Sequence, residues 1–209
     1  MASPLGMFPL SAVLFPGAEL PLHVFEERYR SLMADSMDGN GEFGVVLIAR
    51  GSEVGGGDQR LDVGTVARIS QVAELGDGRL LVVSVGVRRL RVRAWLEDDP
   101  YPRALVDELP TIASLDGDRP LAVAESSVRR LRSLLSELGD VPALPHDLEL
   151  SGDGEDIGWQ LCDLAPLNPI DLQHLLVTAE LGARMTLLAE LCDARSGDVV
   201  GLLAGGDSA

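Results

Sequence analysis

The sequence contains no lysine; all 17 of its basic residues are arginines. A Walker-type phosphate loop uses a lysine ammonium to reach the β- and γ-phosphates. A serine–lysine protease uses an amine of lowered pKa as its base, and a permanently charged guanidinium replaces neither. Both chemistries are therefore excluded from these residues, and lysine Schiff-base chemistry goes with them. Cysteine and histidine are also scarce. Cys162 and Cys192 fall in helix-like segments and read as small buried hydrophobes kept reduced in a cytosolic compartment. His23, His146 and His174 have no second ligand at metal-binding spacing, so neither a metal nor another cofactor is expected. The nearest approach to a nucleophile elbow, Val82 to Gly86 around Ser84, lacks the first glycine and sits inside a strand pattern. No apolar run approaches the roughly 18 residues of a membrane span, and the first arginine is Arg28, so no basic leader precedes an apolar stretch. A cytoplasmic protein that performs no catalysis is the expectation.

What is present is acid. Thirty-three acidic residues give a formal net charge of −16. Residues 1–110 hold 16 acids and 11 arginines, net −5; residues 111–209 hold 17 acids and 6 arginines, net −11. Such a field repels phosphate backbones and anionic lipid, so nucleic-acid and membrane-surface binding are disfavoured, and partners should be neutral or basic. With 46% apolar residues the chain buries a substantial core.

The first half reads as mostly β. Pro9, Pro16 and Pro21 hold their predecessors extended. Glu19 to Val24 follows as a short strand. Phe25, Tyr29, Leu32 and Met33 then share one face of a helix ending near Gly39, with Glu26 and Arg30 as an i,i+4 pair on its exposed side. Phe43 to Ala49 is a continuous apolar run suited to a strand buried on both faces. Residues 51–60 read as a glycine-rich surface loop. Val63 to Leu75 and Leu80 to Leu96 flank Gly76-Asp77-Gly78 and form a hairpin whose second arm is interrupted by Gly86. Arg89, Arg91 and Arg93 share one face of that arm by their spacing, either as a solvated face or as a contact for an acidic partner. Tyr101 to Leu109 reads as a closing edge strand.

The second half changes period. Pro120 opens an amphipathic helix that runs to Gly139, a linker spans residues 140–154, and a second helix stops before Pro166. Asn168-Pro169 caps a third helix, and Leu181 to Cys192 forms a fourth. From Gly197 a glycine-rich tail frays. The expected organisation is a β domain over 1–110, a helical subdomain over 111–197 and a flexible tail over 198–209.

Phe8-Pro9-Leu10, Val13 to Gly17, and Leu20 to Tyr29 follow one another near the start of the chain. Phe43 to Leu47, Val63 to Ile69 and Val85 to Val92 come after them. In this order the blocks resemble the amino-terminal domain of the ATP-dependent protease Lon, over about residues 7–109. The resemblance implies an α+β fold, a PUA-like β pseudobarrel with one helix followed by a helical subdomain, and a role in recognising substrate polypeptides. No ATPase or protease segment is visible in the residues given, so a stand-alone recognition module is expected. The alternatives are an adaptor or regulator of a separate protease acting through the acidic helical half, and a small-molecule binder. The candidate polypeptide-binding residues are His23, Phe25, Glu26, Arg28 and Tyr29, with Arg89 and Arg91. A structural reading stands beside this one: His23 as a hydrogen-bonded histidine, Phe25 and Tyr29 pointing inward, and Glu26 with Arg28 tying helix to sheet. Oligomeric state is left open by the sequence.

Overall fold

The computed structural model describes residues 4–50, 59–112 and 117–206, with side chains described through residue 202. The chain divides into two compact units between Pro110 and Thr111. Most of the expected glycine-rich loop, residues 51–58, lies outside the described residues. Its last two positions, Gln59 and Arg60, already belong to a strand.

The first unit contains β1 (Leu5–Leu10), β2 (Glu19–Val24), α1 (Glu27–Asp38), β3 (Glu42–Arg50), β4 (Gln59–Glu74), β5 (Leu80–Trp95) and β6 (Arg103–Glu108). Strand β1 runs parallel to β3, β3 antiparallel to β4, and β4 antiparallel to β5. Strand β6 pairs with both β5 and β1, which closes a five-strand ring. The expectation of an edge strand at Tyr101 to Leu109 is thereby corrected, because β6 has a partner on each side. The free edge belongs instead to β2, which pairs with the first half of β5. Pro21 fits such a position, since it has no N–H to give a further strand.

The apolar run of β3 faces two cores. Val45 packs with Phe8, Tyr29, Leu32 and Met33 beneath α1, while Val46 packs with Met7, Val66, Leu90 and Ala104 inside the ring. From Glu42 to Leu47 neither side of the strand meets water, which is why this stretch shows no apolar–polar alternation. The β4–β5 hairpin forms around residues 75–79 as the turn signal predicts. Gly86 does not end β5; it sits at a bulge, where Val66 pairs with Arg88 and Ala67 with Gly86. There the backbone of Pro16–Ala18 crosses close by: Gly17 N–H donates to the Gly86 carbonyl and Gly86 N–H to the Ala18 carbonyl. A Cβ on Gly86 would strike the Phe15 carbonyl oxygen, so the crossing requires glycine.

The second unit contains α2 (Arg119–Leu138), α3 (Gly154–Leu164), α4 (Pro169–Val177) and α5 (Leu181–Gly206). Pro120 occupies the first turn of α2, and Gly139 ends the helix in the left-handed conformation at φ 79°. Asp153 and Asp156 form a reciprocal capping box on α3, and Asn168 accepts from Ile170 and Asp171 to cap α4. The core is built from Ala124, Val128 and Leu131 of α2 against Met185, Leu188 and Cys192 of α5, with Trp159 and Leu175 completing it.

The expected linker carries no helix or strand between Leu138 and Gly154, while the expectation of a frayed tail is revised. The residues between α2 and α3 are held down by arginines of α2. Arg129 donates to the Pro145 and Leu148 carbonyls, and Arg132 donates to Pro142 and to Leu164 at the end of α3. The expected tail proves helical through Gly206. Ser196 and Val199 are fully buried on either side of Gly197 and anchor the helix past it, while open space surrounds the Gly197 Cα.

Candidate functional site

The residues from Pro21 to Tyr29 join the free-edge strand to α1. Along β2 the side chains alternate: Pro21 and His23 are exposed, Leu22 is half-buried and Val24 is buried. Helix α1 begins at Glu27 with Glu26 as its N-cap residue, so Phe25 lies outside the helical stripe that the spacing predicts. The expectation that Phe25 points inward is overturned: its side chain is 54% exposed. Tyr29, inside the helix, is buried as expected and stacks on Phe8 with ring centroids 4.1 Å apart.

Between β2, Phe8 and Leu10 of β1, and Tyr29 lies a pocket of about 150 Å³, lined also by His23, Phe25 and Glu26. The expected structural histidine is corrected too. His23 is exposed, and its ring meets Phe25 edge-on at 6.2 Å. Its partner in the sheet register is Leu81, itself 45% exposed. Paired residues on adjacent strands share a face, so His23 stands beside Leu81 and links it to Phe25, two exposed apolar side chains next to the pocket.

The charges at this site cancel locally. The Arg28 guanidinium donates to Glu26 at 3.2 Å and lies over the Tyr29 ring at 4.4 Å. The expected Glu26–Arg30 pair is replaced: Arg30 bonds Glu27 instead, at 2.9 Å, because Glu26 precedes the helix and lacks the i,i+4 geometry. The site thus offers an apolar pocket and an exposed ring, with one neutralised ion pair beside them. It can grip an apolar side chain, and it holds no aligned nucleophile and base.

The two remaining candidates lie elsewhere. Arg91 is exposed on β5 opposite Asp107 of β6. Arg89 is only 2% exposed, which corrects the reading of Arg89, Arg91 and Arg93 as one open face. The register is regular from Arg88 to Arg91, so Arg89 keeps the face of Arg91, but the chain leaving β6 covers it there: its guanidinium donates to the Pro110 carbonyl at 2.7 Å, and its own carbonyl accepts from Leu109 N–H. Arg89 and its neighbour Arg88 border a polar cavity of about 450 Å³ that includes Glu42. Hydrogen bonds from Arg88, with further help from Arg68, hold the buried Glu42 carboxyl down at about 2 against the opposing effect of burial. Glu42 is already fully engaged and reads as a clasp between strands.

Sequence reasoning passed over Phe8, Leu10 and Leu81 as parts of a site. Phe8 and Leu10 stood in a family-like block, but their meeting with Tyr29 depends on β1 lying beneath α1, which spacing does not reveal. Among the described residues no group of three or more His, Cys, Asp or Glu is placed to hold a metal ion, and no helix is long and apolar enough to cross a membrane.

Comparison with known proteins places this geometry in a family. The model of the ATP-dependent protease La (LON) substrate-binding domain matches residues 4–194. A Lon protease of Anaeromyxobacter dehalogenans is 30% identical over 90% of this chain and 22% of its own length. Lon protease 2 of Myxococcus xanthus is 31% identical over 90% of this chain and 23% of its own length. The chain therefore spans less than a quarter of the length of these relatives. Among solved structures, a Lon N-terminal domain protein from Xanthomonas campestris is 27% identical, covers 89% of this chain and 96% of its own, and superposes with a TM-score of 0.62. The N-terminal domain of a Mycobacterium avium complex Lon protease shares the fold at a TM-score of 0.64 and 16% identity, over 91% of this chain and 98% of its own. With an α+β fold of this shape and a family match over nearly its whole length, the chain belongs to the LON substrate-binding domain family.

Proposed function

We propose that the chain recognises polypeptides through the surface around Phe25 and makes or breaks no bond itself. The observation that carries this reading is an aromatic side chain 54% exposed at the mouth of an apolar pocket, next to a strand with a free edge. Leaving such a ring in water has a cost that burial against a client would recover, on the order of 1.5–3 kcal/mol for a large apolar side chain. The pocket takes one apolar side chain of the client, and Phe25, His23 and Leu81 cover the flanking residues. Arg28 and Glu26 keep the rim neutral. Arg91 offers a separate contact for a client carboxylate. In this reading recognition within these residues needs no lysine-dependent motor or protease chemistry, in keeping with their lack of lysine. It also accords with the family's description as a substrate-binding domain.

The test is capture of a permanently unfolded, reduced and alkylated model protein by the wild-type chain and by Phe25→Ser. The variant should keep its thermal unfolding midpoint and lose most of the capture. Undiminished capture by Phe25→Ser would remove this surface from consideration.

A further inference from the structure

The helical unit carries an open groove of its own, of about 360 Å³, between α2 and α5. Met185 and Ala189 of α5 are buried, 0% and 7% exposed, and supply its apolar floor. From α2 come Pro120 and Val123, the latter 47% exposed while Ala124, Val128, Leu131 and Leu135 of the same helix are buried. Glu190 and Asp193 also line the groove, and among the described residues neither enters an ion pair. Arg119 is the single basic residue there. The lining itself carries two acids against Arg119, and it belongs to residues 111–209, which hold 17 acids against 6 arginines, so the groove favours a cationic over an anionic partner.

We propose that this groove docks a basic amphipathic helix of a partner protein. The apolar stripe of that helix lies against Pro120, Val123, Met185 and Ala189, and its Lys or Arg side chains lie beside Glu190 and Asp193. Both walls are helices, so an extended peptide finds no strand edge to pair with. A helix brings its own hydrogen bonds and presents its side chains at a matching spacing. Charge complementarity selects a cationic helix over an anionic one and raises the rate of encounter at low salt. This surface is separate from the Phe25 site and does not depend on it.

The experiment uses the whole chain and fluorescence anisotropy with a labelled Leu/Lys peptide of about 18 residues patterned as an amphipathic helix. A peptide of the same composition, permuted so that its leucines form no stripe, serves as comparison. The patterned peptide should bind at least about tenfold more tightly than the permuted one. Val123→Asp should weaken it by about tenfold or more, as should the pair Glu190→Lys and Asp193→Lys. The pair Glu137→Lys and Asp140→Lys changes the net charge equally at the far end of α2 and should leave binding within about twofold. Measured in the Phe25→Ser background, the preference for the patterned over the permuted peptide and its loss with Val123→Asp should both persist, so that failure here and failure of polypeptide capture are read separately. All these side chains are exposed, and circular dichroism melting verifies that each variant is folded. Equal binding of both peptides, no binding of the patterned one, no effect of Val123→Asp, or equal weakening by the distal charge reversal would each overturn the proposal.

Discussion

Arg88 grips Glu42 with both ends of its guanidinium, at 2.9 and 2.7 Å, and so fastens β5 to the start of β3. The carboxylate is 4% exposed and accepts a third bond from Arg68 on β4. Because Glu42 titrates at about 2 in the fold against 4.5 unperturbed, the folded state gains stability that is complete above pH ~4.5. That stability is lost as pH falls towards 2. The shift corresponds to about 2–3 kcal/mol, taking into account that Arg68 is more than half exposed and screened. Urea unfolding across pH 2–7 should show this loss, and Glu42→Gln should be destabilised at pH 7 and show a flatter acid limb.

Gly86→Ala forces a methyl group against the Phe15 carbonyl, and the backbone hydrogen bonds joining Gly86 to Gly17 and Ala18 prevent β5 from withdrawing. A loss of about 1–3 kcal/mol is expected, read as a lower denaturant midpoint. Ala at Gly197, where the surroundings are open, should be neutral or slightly stabilising because it favours the helix.

Arg184 is fully buried, lies 3.5 Å from the centroid of the Trp159 ring, and donates to the Thr178 and Ala179 carbonyls after α4. Arg184→Met keeps much of the volume but leaves those carbonyls without the donor. About 2–4 kcal/mol of stability should be lost, measured by urea denaturation followed in the far ultraviolet. Arg184→Lys should recover only part of this, since an ammonium cannot reproduce the planar fork over the ring.

Burial pushes the thiols of Cys162 and Cys192 up to about 12. Thiolate is the reactive form. Neither cysteine should react with iodoacetamide at pH 8 in the native protein, and both should react once urea unfolds it, as mass spectrometry of timed samples would show.

Sequence legibility followed the reach of the interactions. Strand β3 is plain from Phe43 to Ala49 because burial on both faces leaves a continuous apolar run. Asn168-Pro169 and Gly139 mark helix ends because capping is local. Phe25 was misplaced because one residue decides whether it joins the helical stripe, and the helix starts at Glu27. Arg89 looked exposed because its alternation with Arg91 is real, while its cover, the backbone at Leu109 and Pro110, lies about twenty residues on and leaves no mark in the local pattern. The closure of β6 onto β1 and the anchoring of 140–152 by Arg129 and Arg132 join residues far apart in sequence, or pair a side chain with a backbone carbonyl. Periodicity carries no trace of either. The pocket at Phe25 shares that fate, since its walls come from β1 and β2 and its floor from α1.

The ring is completed where Leu5 meets Ala104. During synthesis at roughly 5–20 residues per second, the first strand emerges from the ribosome about 5–20 s before its final neighbour exists. Until then the edge of β1 that β6 occupies in the finished fold has no partner strand.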